Sequence, residues 1–224
     1  MLFRRKPVAV DLQSGYALWA RQYPPYAHNE LMRLEEEAML RLLPAGLAGC
    51  GCLDLACGSG RYLCHLRRRH PERLAGLDMS AAMLAQARLP GLAQADLLAL
   101  PCASESVDLI TCGLAVGHLP DLRSVILEMG RVLRPGGLAI YSDLHPAATR
   151  AGWKRTFTVD HGPTFRLEQY LHELPDHIRT CRQAGLSVTA VLEPALGHRA
   201  PSVRAATLPA VLVLRAVKAG ASYP

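Results

Sequence analysis

The sequence predicts an α/β fold: a three-layer sandwich around a mostly parallel seven-stranded sheet with a C-terminal antiparallel hairpin. Three observations lead there. From about residue 50, short apolar runs alternate with amphipathic stretches of helical period, and strands separated by helices need crossovers, which give parallel pairing. Caps and stops punctuate the runs: Ser80 opens one helix, Pro135-Gly136-Gly137 closes another and Gly185 ends a third. Two last apolar runs, 187–192 and 211–217, have no helical pattern between them and can pair antiparallel.

Taken in order, the strands are 50–55, 73–78, 92–96, 107–112 and 138–142, followed by that closing pair. The helices between them are 61–69, 81–88, 122–133 and 175–184. An amphipathic helix over 29–43, stopped by Pro44, precedes the first strand. Residues 144–173 form an aromatic and basic insertion after the fifth strand. The insertion and the N-terminal segment are placed to cover a site, because ligands of open α/β sheets bind outside the carboxyl ends of the strands.

Composition narrows the function. The formal charge of +6 and a pI near 9.1 would suit an anionic partner, yet the basic residues are scattered apart from Arg67-Arg68-Arg69 and the looser Arg150, Lys154, Arg155 group. The triplet reads as a solvated helix end. No stretch of eighteen apolar residues is present, so no membrane span is expected. Arg4, Arg5 and Lys6 resemble the start of a signal peptide, but the apolar run from Pro7 to Val10 is too short and Asp11 ends it. The seven cysteines include no CxxC pair, so no metal site is expected and a reducing, cytoplasmic location fits. Cys50 and Cys52 alternate along one strand and share a face, as small packed hydrophobes do.

The sharpest motif is Leu53-Asp54-Leu55-Ala56-Cys57-Gly58-Ser59-Gly60-Arg61, at a strand-to-helix junction. Gly58 and Gly60 allow a tight turn and close approach of backbone to ligand, beside the free N–H groups of a helix start. Asp78 ends the next strand twenty residues after Gly58, where a carboxylate can accept both hydroxyls of a ribose. The pair says a nucleoside is bound without saying which. Asp54 discriminates between candidates: a carboxylate here would repel a pyrophosphate but favour an amino group or a sulfonium. The third glycine of a dinucleotide turn is also missing, because Leu63 stands in its place.

These residues resemble the class I S-adenosylmethionine-dependent methyltransferases, in particular the methyltransferase type 11 group around the ubiquinone/menaquinone and biotin-pathway malonyl-carrier enzymes. The resemblance rests on the Asp54–Gly60 turn, Asp78 in Gly76-Leu77-Asp78-Met79-Ser80, and Asp96 in Gln94-Ala95-Asp96-Leu97. It also rests on the fourth strand from Ser106 running into Gly113-Leu114-Ala115-Val116-Gly117-His118, and on Arg131-Val132-Leu133-Arg134-Pro135-Gly136-Gly137. It implies a Rossmann-like fold and S-adenosyl-L-methionine as cofactor. It further implies that Asp54, Ala56, Cys57 and Gly58 line the methionine part, Asp78 holds the ribose, Met79 packs on adenine, Asp96 binds its amine, Leu97 stacks nearby and Leu114 touches the cofactor through its backbone. Many relatives have glycine where this chain has Ala56, which leaves less room there.

The transferred methyl must meet a nucleophile near the ends of the fourth and fifth strands. Asp143 and His145 stand at that rim, so His145 is a candidate general base oriented by Asp143; a structural histidine capping a loop explains it nearly as well. His118 is read either as a packing residue or as a substrate contact. Tyr16, Trp19, Tyr23 and His28 form an aromatic group suited to a lid. Tyr23-Pro24-Pro25-Tyr26 differs from the Asn-Pro-Pro-Tyr signature of amino-methylating DNA enzymes, since its first residue cannot grip an amine and no strand precedes it. The expected organisation is one domain over 1–224: lid and helix 1–49, cofactor-binding core 50–143, substrate-side insertion 144–173, and helix with hairpin 174–224. The expected reaction is methyl transfer to oxygen or nitrogen of a small molecule, with nucleic-acid or protein methylation and non-catalytic cofactor binding as the competing readings.

Overall fold

The computed structural model describes residues 6–160, 162–200 and 203–220; Arg4 and Arg5 fall outside them. The N-terminus forms β1 (Val8–Val10), α1 (Leu12–Trp19) and α2 (Glu30–Leu42). Then come β2 (Gly51–Leu55), α3 (Arg61–Arg67), β3 (Arg73–Asp78), α4 (Ala81–Ala87), β4 (Leu92–Gln94), β5 (Val107–Cys112), α5 (Leu122–Val132) and β6 (Leu133–Leu144). After α6 (Pro146–Arg150) follow β7 (Thr156–Thr158), β8 (Thr164–Leu167), α7 (Leu174–Gln183), β9 (Leu186–Leu192) and β10 (Val211–Lys218).

The main sheet has seven strands in the order β4-β3-β2-β5-β6-β10-β9. The five strands from β4 to β6 pair in parallel, and β10 runs antiparallel to both β6 and β9. This is the expected Rossmann-like sandwich. Between the strands of its last pair lie a 3-10 turn at Gly197–Arg199 and a short helix at Val203–Ala206, so they are not joined by a tight hairpin. Residues alternate between two cores, as strand geometry requires. Leu53, Ile110, Tyr141 and Leu212 pack with Val125, Met129 and Cys181 of α5 and α7. On the opposite face Cys52, Leu109, Ile140 and Val211 pack with Met39 of α2 and Tyr62 of α3. Cys52 is buried there and Cys50 packs at its margin.

Three elements differ from the sequence reading. The fifth strand begins at Leu133 and continues through Pro135-Gly136-Gly137, with a register shift between Val107 and Leu109. It extends to Leu144 because β10 supplies partners, pairing Val211 with Leu144. Residues 6–28 contain a strand, a helix and a 3-10 turn: Asp11 caps α1 by accepting from the Ser14 N–H, and β1 pairs in parallel with β8 of the insertion. The insertion itself is α6 plus the β7–β8 hairpin, so β1, β8 and β7 form a separate three-stranded sheet beside the carboxyl ends of the main one.

Where α5 crosses α7, a Cβ on Gly130 would lie 2.4 Å from the Ala184 carbonyl oxygen. A backbone oxygen cannot swing away, so Gly130→Ala should cost about 1–3 kcal/mol by overpacking, outweighing the roughly 0.8–1.0 kcal/mol that alanine gains within a helix. Urea denaturation checks this. A variant as stable as the parent would mean that α5 and α7 separate freely.

Candidate active site

The sheet order reverses between β2 and β5, and there a cavity of about 400 Å³ opens at the carboxyl ends of the strands. One wall is the turn after β2, with Ala56, Cys57, Gly58 and Ser59, joined by Asp78 and Met79 at the end of β3 and by Asp96 and Leu97 after β4. The other wall is Tyr16, Trp19 and Tyr23 from the N-terminal segment, Leu114 and His118 after β5, and Lys154 and Arg155 from the insertion.

The turn is built as the glycines require. Gly58 has φ +56°, and a Cβ there would meet nothing within 4 Å, so the backbone faces open space. The Gly58 N–H donates to Asp78 Oδ2 at 2.8 Å, and the Ser80 N–H donates to Oδ1 at 2.8 Å. Asp78 thus ties the first turn to the second strand, and its free lone pairs remain for a diol. Burial pushes its carboxyl above the usual range, against those two hydrogen bonds. Gly60 has a different duty from the one expected. It does not line the cavity; at φ +93° it lets α3 pack beside α4, where a Cβ would lie 3.3 Å from the Ala87 Cβ. Ala56 sits at φ +50°. The constraint at this position is therefore a left-handed backbone, which costs a residue bearing a Cβ roughly 1–2 kcal/mol, as well as space.

Asp54 stands behind the cavity wall. It is 1% exposed and accepts from the Thr111 hydroxyl at 2.6 Å, while its Oδ2 has no hydrogen-bond partner. Burial pushes its carboxyl up to about 7, with Thr111 opposing. An orphaned carboxylate oxygen beneath the turn fits a cationic group above it and does not fit a pyrophosphate. Leu114 lines the cavity at φ +55°, but its N–H donates to Ser142 Oγ and its carbonyl accepts from Arg155, so both of its backbone groups already have protein partners.

At the acceptor end the structure departs from the reading of His145. This residue is buried outside the cavity. Its Nδ1 accepts from the Ala147 N–H, which caps α6, and its Nε2 contacts Glu193 Oε1 at 2.9 Å. Asp143 does not orient it: the Asp143 carboxylate pairs with Arg155 and accepts from the Leu144 N–H. Alternation would put positions 143 and 145 on one face, but β6 ends at Leu144 and His145 turns away as the N-cap of α6. His118 does reach the cavity. Its Nδ1–H donates to the Glu168 carbonyl and its Nε2 accepts from the Tyr16 hydroxyl, each at 2.8 Å. Burial, with Arg155 nearby, pulls its pKa down to about 3, so the ring is neutral. His28 packs edge-on against Tyr23, with ring centroids 5.2 Å apart, and stays off the cavity.

Two residues that the sequence reading passed over hold the site together. Glu35 is fully buried; Arg61 donates to it at 2.7 Å and Ser142 at 2.5 Å, and the same serine accepts from the Leu114 N–H. The signal was present. Glu35 falls in phase with Met32, Ala38 and Met39 on the apolar stripe of α2, and Arg61 opens a helix whose positive end disfavours a cation.

Comparison with known proteins agrees with this geometry. The methyltransferase domain family matches residues 53–141. Malonyl-[acyl-carrier protein] O-methyltransferase of Enterobacter lignolyticus is 39% identical over 140 residues, which are 60% of this chain and 55% of the relative. Residues 53–141 belong to this methyltransferase domain family, and the chain is similar to the class I S-adenosylmethionine-dependent methyltransferases. The Salmonella typhimurium protein of the same name is 33% identical over 168 residues, 71% of this chain and 66% of that one. The chain thus spans between half and two thirds of the length of these methyltransferase relatives. Among solved structures, a methyltransferase from Mesorhizobium loti shares the fold with a TM-score of 0.68 at 21% identity, over 82% of this chain and 97% of that one.

The raised Asp54 carboxyl has a measurable consequence in the free protein. Its folded pKa, about 7, exceeds the unfolded value near 3.9. The folded state therefore binds the extra proton between those values, and this residue lowers stability as pH rises from about 4 to 7. Asp54→Asn should flatten that part of the profile in urea denaturation. An unchanged slope would mean that Asp54 is ionised in the fold.

Proposed function

We propose that this chain transfers the methyl group of S-adenosylmethionine to an oxygen of a small anionic acceptor, with a carboxylate as the nucleophile. The observation that carries this reading is one continuous cavity. It runs from Asp78 and the Gly58 turn to an end lined by Tyr16, Lys154 and Arg155. Asp78 would hold the ribose, Asp96 the adenine amine between Met79 and Leu97, and the orphaned Asp54 oxygen would answer the positive methionine end. Bound S-adenosylmethionine supplies a methyl group on a sulfonium. The chemistry it would supply is in-line displacement by an acceptor oxygen, with the electron pair of the broken carbon–sulfur bond left on sulfur. The chain's residues contribute position and exclusion of water.

A carboxylate is favoured because the cavity holds no histidine placed to take a proton. His118 is engaged at both ring nitrogens and held neutral, and His145 lies outside. Lys154 brings positive charge to that end, which draws an acceptor that is already ionised. The names of the relatives, malonyl-carrier O-methyltransferases, also point to oxygen. Nothing comparable favours nucleic acid. Arg150 pairs with Glu173 and Arg155 with Asp143, so two members of the Arg150, Lys154, Arg155 group are neutralised within the fold.

Calorimetry should find S-adenosylhomocysteine bound far more tightly than nicotinamide dinucleotides, and Asp78→Ala should weaken that binding by roughly 2–4 kcal/mol. The reverse preference would remove the cofactor assignment. His145→Ala should keep the methylation rate and cost about 0.5–2 kcal/mol of stability through the lost cap of α6. Mass spectrometry should detect methyl esters when carboxylic acids are screened as acceptors, with turnover at saturating S-adenosylmethionine level between about pH 6 and 8. An ascending limb near the histidine value of about 6.5 would instead call for a general base.

A further inference from the structure

The N-terminal segment is fastened to the glycine-rich turn by one side chain. Ser59 is 1% exposed, and its hydroxyl donates to the Pro24 carbonyl at 3.0 Å, across 35 residues of sequence. Proline fixes φ, so Pro24-Pro25 transmits a hold on one carbonyl to its neighbours instead of absorbing it. Tyr23, immediately before, lines the cavity and meets Trp19 edge-on at 4.8 Å between centroids; Trp19 stacks on Phe157 of the insertion at 4.7 Å. At the far end the Tyr16 hydroxyl bonds His118. The segment therefore crosses the cavity between two hydrogen-bonded ends, one on the turn that would hold the methionine part and one at the acceptor end.

We infer that Ser59 is a positioning residue which latches residues 20–28 over the cofactor half of the cavity, so that cofactor release requires the Ser59–Pro24 bond to open. The inference rests on the cofactor reading given above for its binding arm, and on the contacts of the free protein for its exchange arm. Ser59→Ala and Ser59→Gly should raise the dissociation rate of S-adenosylhomocysteine by about three- to tenfold, the net worth of one hydrogen bond, and Ser59→Thr should restore it in stopped-flow measurements. Without ligand, hydrogen exchange in the alanine variant should quicken at Tyr23, Tyr26, Ala27 and His28 while α5 is unchanged. An unaltered dissociation rate, or equal quickening at α5, overturns the latch. If the serine variants do not fold, the wild-type chain decides: S-adenosylhomocysteine must slow exchange over residues 20–28 more than over α5, and equal protection overturns the proposal. Wild-type protein that binds no S-adenosylhomocysteine would refute the cofactor reading, and the ligand-free exchange comparison would still judge the latch.

Discussion

A carboxylate and a guanidinium that have left water together set the geometry on which the rest of this site depends. Glu35 of α2 meets Arg61 at the start of α3 and Ser142 near the end of β6. Burying such a pair gains little net stability over apolar packing, whereas removing one member strands a charge at a cost of about 3–5 kcal/mol. The pair is thus better understood as a determinant of position than as a source of stability. It fixes where α2 crosses the turn, and through Ser142 it holds Leu114 in its left-handed conformation. Because Arg61 follows Gly60 directly, the same contact fixes the helix that opens beneath the proposed cofactor.

Charge around the cavity is arranged in two different ways. At the turn an acid is left without a full set of partners: one oxygen of Asp54 is bonded and the other is not. A buried acceptor left unmade costs about 1–3 kcal/mol, so the fold carries a local penalty that a cationic ligand would relieve. At the opposite end the buried acid is answered. Asp143 has Arg155, which also donates to the Leu114 carbonyl and lies 3.2 Å from His118 Nε2. Arg155 therefore links the insertion to the loop after β5 and to the end of β6, and it helps to keep His118 neutral. That neutrality is what steers the chemical reading toward an acceptor that arrives already ionised.

The backbone at two of these points lies in a region that side chains usually avoid. Ala56 and Leu114 both have positive φ without being glycine, and such conformations persist where surrounding contacts over-determine them. For Leu114 those contacts are visible in Ser142 and Arg155. For Ala56 the turn is closed by the Cys57 N–H donating to the Leu77 carbonyl and by Asp78 on Gly58.

By itself the sequence determined the sheet, its crossovers and the ligand-facing turn, because these are encoded locally: period, caps, two glycines and an acid at the end of the following strand. Asp78 could be placed at the cavity from its position at a strand's carboxyl end, whereas Met79, Asp96 and Leu97, which also line it, were implied only by the family resemblance. Tertiary structure decided whatever depended on a partner distant in sequence. The short β1 exists because β8 pairs with it, 157 positions away by Val8 and Phe165, and no local pattern carries that. His145 looked like a base for as long as its neighbours were counted along the chain; in space Ala147 and Glu193 occupy it, while His118, bonded to Tyr16 across 102 residues, reaches the cavity. Local sequence fixes backbone direction and solvent preference, but the pairing of buried polar groups is settled only when the segments that carry them are brought together.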